Sequence, residues 1–329
     1  MEFNQIARTN YFQVLDKDVK PWQKDYLAMY STQWGGYTTD PSLMSVPVDD
    51  HLVHRGDGVF DVMRCVEGRI YQMEPHLARL EKSAASLSLP LPPDYESIRE
   101  IIKLLTVRGE VRDCVIRVML GRGPGSFSPN PFDCPKSHMY VVVLRYREPP
   151  AGYLEHGVKI LTSRVPSKQP YYAAIKSCNY LPNVLMKMEA VQAGCEFAVA
   201  LDEEDCLTEG ATENIGVVSK EGVLQFPGFD RTLAGTTVAR AHALGEALVD
   251  QGLIAGVEFA RITLDEAYAA REVMMLGTSI DILPVVKFDG RTIGEGRPGP
   301  VAAGLLELLS KDMRENREYL TELDWKDGE

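Results

Sequence analysis

Lys176 closes the run Tyr172-Ala173-Ala174-Ile175 and opens Ser177-Cys178-Asn179-Tyr180-Leu181-Pro182-Asn183, at the junction of an apolar stretch and a helix start. A lysine buried at such a junction loses hydration around its ammonium, its pKa falls, and the neutral amine attacks an aldehyde to make a Schiff base. A solvated surface lysine fits the same local letters. Further along, Glu209 sits in Leu207-Thr208-Glu209-Gly210-Ala211-Thr212-Glu213-Asn214-Ile215, after a strand-like stretch and before a Gly/Thr-rich turn. A carboxylate fixed there can keep a proton on a heterocyclic nitrogen; an ordinary turn carboxylate is the competing reading.

Leu233-Ala234-Gly235-Thr236-Thr237 leads directly into a helical pattern, and unpaired N–H groups at a helix N-terminus with two hydroxyls form an anion cradle. A threonine N-cap would account for the same residues without a ligand. Gly277-Thr278-Ser279 is a second small-residue turn of the same capacity, and Arg79 could give a phosphate paired donors or lie on the solvent face of its helix. An amine, a carboxylate for a ring nitrogen and a phosphate cradle are what pyridoxal 5′-phosphate (PLP) requires.

These residues need elements to hold them. A strand over Gly58 to Val66 follows one at Ser45 to Val48, and a Glu67-Gly68 turn leads to Arg69 to Met73. Helices are predicted at about Pro75 to Ala85 and Asp94 to Thr106, and strands at Cys114 to Leu120 and Met139 to Leu144. Residues 1 to about 30, with Trp22, Tyr26 and Tyr30, read as a helical extension. Glu148-Pro149-Pro150-Ala151-Gly152 interrupts both periodicities and marks a linker, dividing the chain into 1–150 and 151–329. Beyond it come a strand at Val158 to Thr162, a helix at about Pro182 to Ala193, and strands at Phe197 to Leu201, Ile215 to Val218 and Val223 to Phe226. A helix at about Thr237 to Gln251 and a strand at Val273 to Leu276 follow, and no repeat relates the halves. The expected class is α+β in two different domains.

Length and composition agree, since 329 residues with 45% hydrophobic and 25% charged residues suit two packed domains with a cleft. A formal charge of −12 without a basic block argues against nucleic acid or anionic membranes as partners. Apolar runs such as Met139 to Leu144 are strand-sized, so no membrane span is expected. The six cysteines are scattered without a CxxC pair or a signal peptide, which predicts reduced thiols and a cytoplasmic protein.

The string from Lys176 to Ile215, the Leu-x-Gly-Thr-Thr and Gly-Thr-Ser turns, and His51 to Asp61 together resemble the class IV (fold type IV) PLP aminotransferases. That family includes branched-chain aminotransferases, D-amino-acid transaminases and aminodeoxychorismate lyases. The resemblance spans roughly residues 35 to 312 and is strongest to the plant D-amino-acid transaminase/lyase group, through Val48-Asp49-Asp50-His51, Asn179 to Asn183 and Ile293-Gly294-Glu295-Gly296. It implies a smaller α+β domain with an N-terminal extension, a larger barrel-like domain that anchors PLP, and a homodimer. It also implies that Lys176 carries the cofactor and shuttles a proton, that Glu209 pairs with the pyridine nitrogen, and that Tyr180 bonds the ring hydroxyl oxygen. Arg79, Thr236, Thr237 and Thr278 match the phosphate cup, Ser279 and Ile280 offer backbone N–H groups to the substrate carboxylate, and Arg117 faces the substrate.

The activity implied is transfer of an amino group from an amino acid to a 2-oxo acid. The alternatives are release of 4-aminobenzoate and pyruvate by a lyase and, behind it, PLP binding without turnover. Arg122-Gly123-Pro124-Gly125-Ser126-Phe127 lacks the Arg and His of the bacterial D-amino-acid pattern, and the lysine-to-tyrosine spacing is one residue shorter than in bacterial branched-chain enzymes. Neither substrate class carries over. Gly121-Arg122-Gly123-Pro124-Gly125 is no dinucleotide loop, because its third glycine comes early and no helix can start at Ser126 to Pro131. His51 and His54, without Cys or His partners nearby, are a weak ligand set, so no metal is expected.

Overall fold

The computed structural model describes residues 5–17 and 20–325. In chain order the first half contains α1 (Tyr11–Lys17), β1 (Tyr26–Ser31), β2 (Gly36–Thr38), α2 (His51–His54), β3 (Gly58–Val66), β4 (Arg69–Tyr71), α3 (Met73–Ser86), α4 (Ile98–Arg108), β5 (Cys114–Gly121) and β6 (His138–Arg145). The second contains α5 (Gly152–His156), β7 (Val158–Thr162), α6 (Pro170–Ala173), α7 (Leu181–Gln192), β8 (Phe197–Leu201), β9 (Leu207–Gly210), β10 (Asn214–Val218), β11 (Val223–Pro227), α8 (Thr236–Asp250) and β12 (Gly256–Ala260). It continues with α9 (Leu264–Tyr268), β13 (Glu272–Gly277), β14 (Asp281–Phe288), β15 (Arg291–Thr292), α10 (Pro300–Glu315) and β16 (Leu320–Thr321).

The first sheet runs β16-β4-β3-β5-β6-β1-β2. Strand alternation sorts its faces: Val59, Met63, Cys114, Ile116, Val118 and Leu120 join one core with Leu77 and Leu80 of α3 and Ile98, Ile102 and Leu105 of α4. The residues between them, Phe60, Val62, Val115, Arg117 and Met119, face the second half and line a cleft. In the second half β10, β13, β14, β7, β8 and β9 pair in a ring that closes where Asn214 meets Glu209, giving a six-stranded barrel. Val273 and Met275 of β13 point to one core and Met274 and Leu276 to another, beneath α8 and α10. Side chains thus fill the barrel, and any ligand site must lie outside its core.

Several sequence expectations change. Tyr26–Ser31 is a strand rather than part of a helical extension, because it pairs along β6 from Tyr26↔Leu144 to Ser31↔Tyr140. Residues 1–4 and 18–19 of that extension lie outside the described residues. Ser45 to Val48 is not a strand; Pro47 has no N–H to give a ladder there. At the far end of the described chain β16 joins the first sheet: Leu320 pairs with Tyr71 and Leu323 enters the first core.

Candidate active site

The backbone around Lys176 is held by the first half although it follows the linker. Phe60 N–H donates to Lys176 O at 3.0 Å and Cys178 N–H to Gly58 O at 2.8 Å, while Lys176 N–H donates to Ser83 Oγ at 3.2 Å. The side chain is thereby fixed between the barrel rim and the first sheet, with Nζ 4.9 Å from the centre of the Phe60 ring. Burial, with Arg79 adding to it, lowers the Lys176 pKa from 10.5 to about 8. That shift brings the neutral, nucleophilic form of the amine much closer to neutral pH.

Lys176 lines a cleft of about 570 Å³ together with Arg79, Arg117, Tyr180, Thr278 and Ser279; its remaining walls are Phe60, Val62, Val115, Met119, Cys178 and Thr212. An adjoining recess brings Lys176 and Tyr180 together with Glu209 and Lys168. Glu209 lies inside β9, not in a turn after a strand. Its Oε2 accepts the Leu233 N–H at 3.0 Å, and Asn214 Nδ2 donates to Leu233 O at 3.3 Å, so the barrel closure also sets the carboxylate. Burial raises the Glu209 pKa against the opposing pull of Lys168, the Leu233 N–H and Lys176. Tyr180 packs edge-on against Phe60 at 5.2 Å, with Lys168 Nζ 5.3 Å from its ring centre. Burial first, then Glu209 and Glu213, raises its phenol pKa.

Gly235 caps α8 and no side chain caps the helix, so Thr236 and Thr237 occupy its first turn rather than its N-cap, with the Thr236 hydroxyl 3.4 Å from His76 Nε2. A Cβ at Gly235 would lie 2.1 Å from Asn214 Oδ1, which explains the glycine by space alone. Thr237 and Thr278 share a small recess, and Thr236 and Arg79 line a groove on the other side of the same helix end. Arg79 donates from Nε and Nη2 to Asp61 at 2.8 Å each and from Nη1 to Ala234 O at 3.0 Å, and Nη2 also lies 3.4 Å from His76 Nδ1, which leaves one Nη1 N–H for an anion.

One expectation does not hold as read. Ile280 N–H is spent on Gly277 O at 3.1 Å within the β13–β14 turn, and its side chain packs on the barrel core, so it has no free donor for a substrate. Arg122 is consumed by Asp57, at 3.1 Å from both Nε and Nη2, and by the carbonyls of Ser88 and Leu87 at 3.0 Å. Arg117 has no such claim on it: it is exposed in the cleft, 5.4 Å from the Phe60 ring centre. His51 is occupied by Asp57 at 3.2 Å, and among the described residues no group of three or more His, Cys, Asp or Glu is placed to hold a metal ion.

Asp61, His76 and Lys168 escaped the sequence reading. Asp61 had a signal, a lone carboxylate inside the apolar run Gly58 to Val66, and it is fully buried with Arg79 and His76 bonded to it. His76 and Arg79 stand three apart on α3, the spacing that puts both on one face.

The amine, the buried carboxylate, the uncapped helix end and the cleft between the halves fit PLP by the chemistry of their donors. The protein-family model "Amino-transferase class IV" matches residues 58–288. The D-amino-acid transaminase, chloroplastic, of Arabidopsis thaliana is 40% identical over 293 residues, covering 88% of this chain and 78% of that protein. A putative branched-chain-amino-acid aminotransferase of Methanocaldococcus jannaschii is 32% identical over 288 residues, covering 85% and 94%. A T.th. branched-chain amino acid aminotransferase, solved in complex with N-(5′-phosphopyridoxyl)-L-glutamate, superposes with a TM-score of 0.82 at 28% identity over 90% of this chain and 98% of that one. Class IV aminotransferases use PLP. Site geometry, family model and relatives agree that this chain belongs to the class IV aminotransferases.

Proposed function

We propose that this protein uses PLP to move the amino group of an amino acid to a 2-oxo acid, with Lys176 as the amine that anchors the cofactor and moves the substrate Cα proton. The observation that carries the reading is a lysine whose pKa is lowered to about 8, fixed at the mouth of a two-sided cleft with Glu209 and Tyr180 in the adjoining recess. Bound PLP supplies an aldehyde for the amine and an electron-withdrawing ring that stabilises negative charge at Cα. Glu209 keeps the ring nitrogen protonated, Tyr180 orients the ring through its hydroxyl oxygen, and Thr236, Thr237, Thr278 and Arg79 hold the phosphate. Ser279 and Arg117 meet the substrate, the latter as the cleft's one cation engaged neither in an ion pair nor in the cofactor roles assigned here, among the described residues.

Transfer is favoured over lyase chemistry by the side-chain end of the cleft. Val62, Val115 and Met119 make it largely apolar, and with Arg122 committed elsewhere a single guanidinium serves it. A substrate with a second carboxylate on a ring system would benefit from a further fixed cation. The protein is read as a homodimer, in keeping with the exposed apolar residues Leu181, Val184, Met188 and Val191 along α7. Its cysteines, free among the described residues, suit a reducing compartment such as the cytoplasm, and no helix there is long and apolar enough to cross a membrane.

The test is a single turnover without a keto-acid acceptor. Donor amino acids should convert bound PLP to pyridoxamine phosphate with one 2-oxo acid released per site. Catalytic pyruvate release from aminodeoxychorismate, with no conversion by any L- or D-amino acid, would replace this reading with the lyase.

A further inference from the structure

Behind the phosphate-facing end of α8 lies a buried line of three side chains. Asp61, with no exposed surface, has Oδ1 at 2.8 Å from His76 Nδ1, and the other imidazole nitrogen, Nε2, is 3.4 Å from Thr236 Oγ1. An ionised carboxylate only accepts hydrogen bonds, so His76 Nδ1 carries a proton and the neutral ring presents a bare Nε2 to Thr236. In that state the Thr236 hydroxyl donates inward to His76 and turns its lone pairs outward, the wrong polarity for an oxyanion. With His76 protonated, Nε2–H donates to Thr236 Oγ1 and the hydroxyl proton swings outward to become a phosphate donor.

The charged and titratable groups facing His76 are Asp61 and Arg64 of β3, Tyr71 of β4, Arg79 of α3, Lys176, and Asp281 of β14. Arg64 and Asp281 neutralise one another at 2.8 Å, and Asp61 is matched by Arg79. Burial, with Arg79 and Lys176 behind it, lowers the pKa of His76 against the pull of Asp61, so the ring is neutral at pH 7.5 until a further negative charge arrives.

We propose that His76 is a positioning residue for the cofactor phosphate: binding of a phosphate ester at the N-terminus of α8 protonates His76, which turns the Thr236 hydroxyl into a donor. The proton comes from solvent and is returned when the phosphate leaves. This inference rests on the phosphate placement proposed above.

The test counts protons. Apoprotein is titrated with PLP by calorimetry at pH 7.5 in buffers of different ionisation enthalpy, for the wild type, His76→Gln and Thr236→Val. A glutamine amide can face Thr236 as donor or acceptor without exchanging a proton. The wild type should take up as much as about one proton more than His76→Gln, and its PLP Kd should rise with pH by as much as about tenfold per unit beyond that of the variant. Thr236→Val should bind PLP more weakly and lose the extra proton. Equal proton counts in wild type and His76→Gln, with Thr236→Val weakened, overturn the role of His76 and leave the phosphate site standing. Undiminished PLP affinity in Thr236→Val overturns that site and this inference with it. Should His76→Gln fail to fold, nitrogen NMR of the wild type decides: Nε2 of His76 gaining a proton on PLP addition supports the proposal, and a bare Nε2 in the complex refutes it.

Discussion

Replacing Lys176 with methionine should stabilise the apoprotein while abolishing turnover. Methionine keeps the unbranched shape of the side chain and removes the ammonium that burial disfavours. The lysine pKa falls from 10.5 to about 8 on folding, and each unit corresponds to about 1.4 kcal/mol, so the ionised amine opposes folding by about 3 kcal/mol. Between pH 8 and 10.5 the unfolded chain binds this proton and the folded one does not, so wild-type stability gains from rising pH. Below pH 8 both states are protonated and the opposition is complete. Urea unfolding of both apoproteins at pH 7 and at pH 10 measures the difference, and comparing the two cancels the tyrosines and other lysines that titrate in the same range. Lys176→Met should be about 2 to 3 kcal/mol more stable at pH 7, with most of the gap gone at pH 10. A gap that is absent at pH 7, or that does not narrow with pH, would refute the claim that the fold holds this amine poised for chemistry.

Gly235→Ala should weaken PLP binding about tenfold to a hundredfold, because the new Cβ meets Asn214 Oδ1 at 2.1 Å and overpacking of about 1–3 kcal/mol displaces the end of α8; equilibrium dialysis reads the loss. Glu209→Gln should retain PLP and lower kcat by roughly a hundredfold or more, since the side chain can still accept the Leu233 N–H but holds no charge for the ring nitrogen; an unchanged kcat would release Glu209 from that role. Arg117→Leu should raise KM for a dicarboxylic 2-oxo acid by about ten- to a hundredfold, the loss of one charge-assisted contact, and leave an apolar 2-oxo acid nearly unaffected; equal effects on both would move Arg117 to the α-carboxylate.

The candidate site residues were more legible than the elements that carry them. Local context singles out Lys176, after an apolar run, and Glu209, among small residues, each with an ordinary surface or turn reading beside it, whereas Tyr180 enters through the family resemblance; the structure brings the three together within one recess. Phe197–Leu201 is a buried apolar strand with a glycine before it, and its bounds match the sequence reading. Tyr26–Ser31 could not be read in this way, because its identity as a strand comes from β6, more than a hundred residues away. The Ile280 N–H shows the same limit on a smaller scale. Which donors of a turn remain free depends on the i to i+3 bond of that turn, and sequence spacing does not reveal it. The pairing of Asp61 with Arg79 and His76 likewise appears only when β3 and α3 are packed together.

The last strand gives the molecule a built-in order of assembly. Until β16 arrives, β4 is an open edge, and the tail that covers it also brings Trp325, whose Nε1 donates to Gly68 O at 2.7 Å while Arg112 lies 5.1 Å from its ring centre. A ribosome emits these residues after every strand of the barrel, so the edge of the first sheet is sealed only once the barrel sequence has been made. The N-terminal half is therefore not a module that finishes folding while the rest is being made. Cutting the chain after α10 should leave the barrel strands intact in sequence and yet expose the other half to edge-to-edge association.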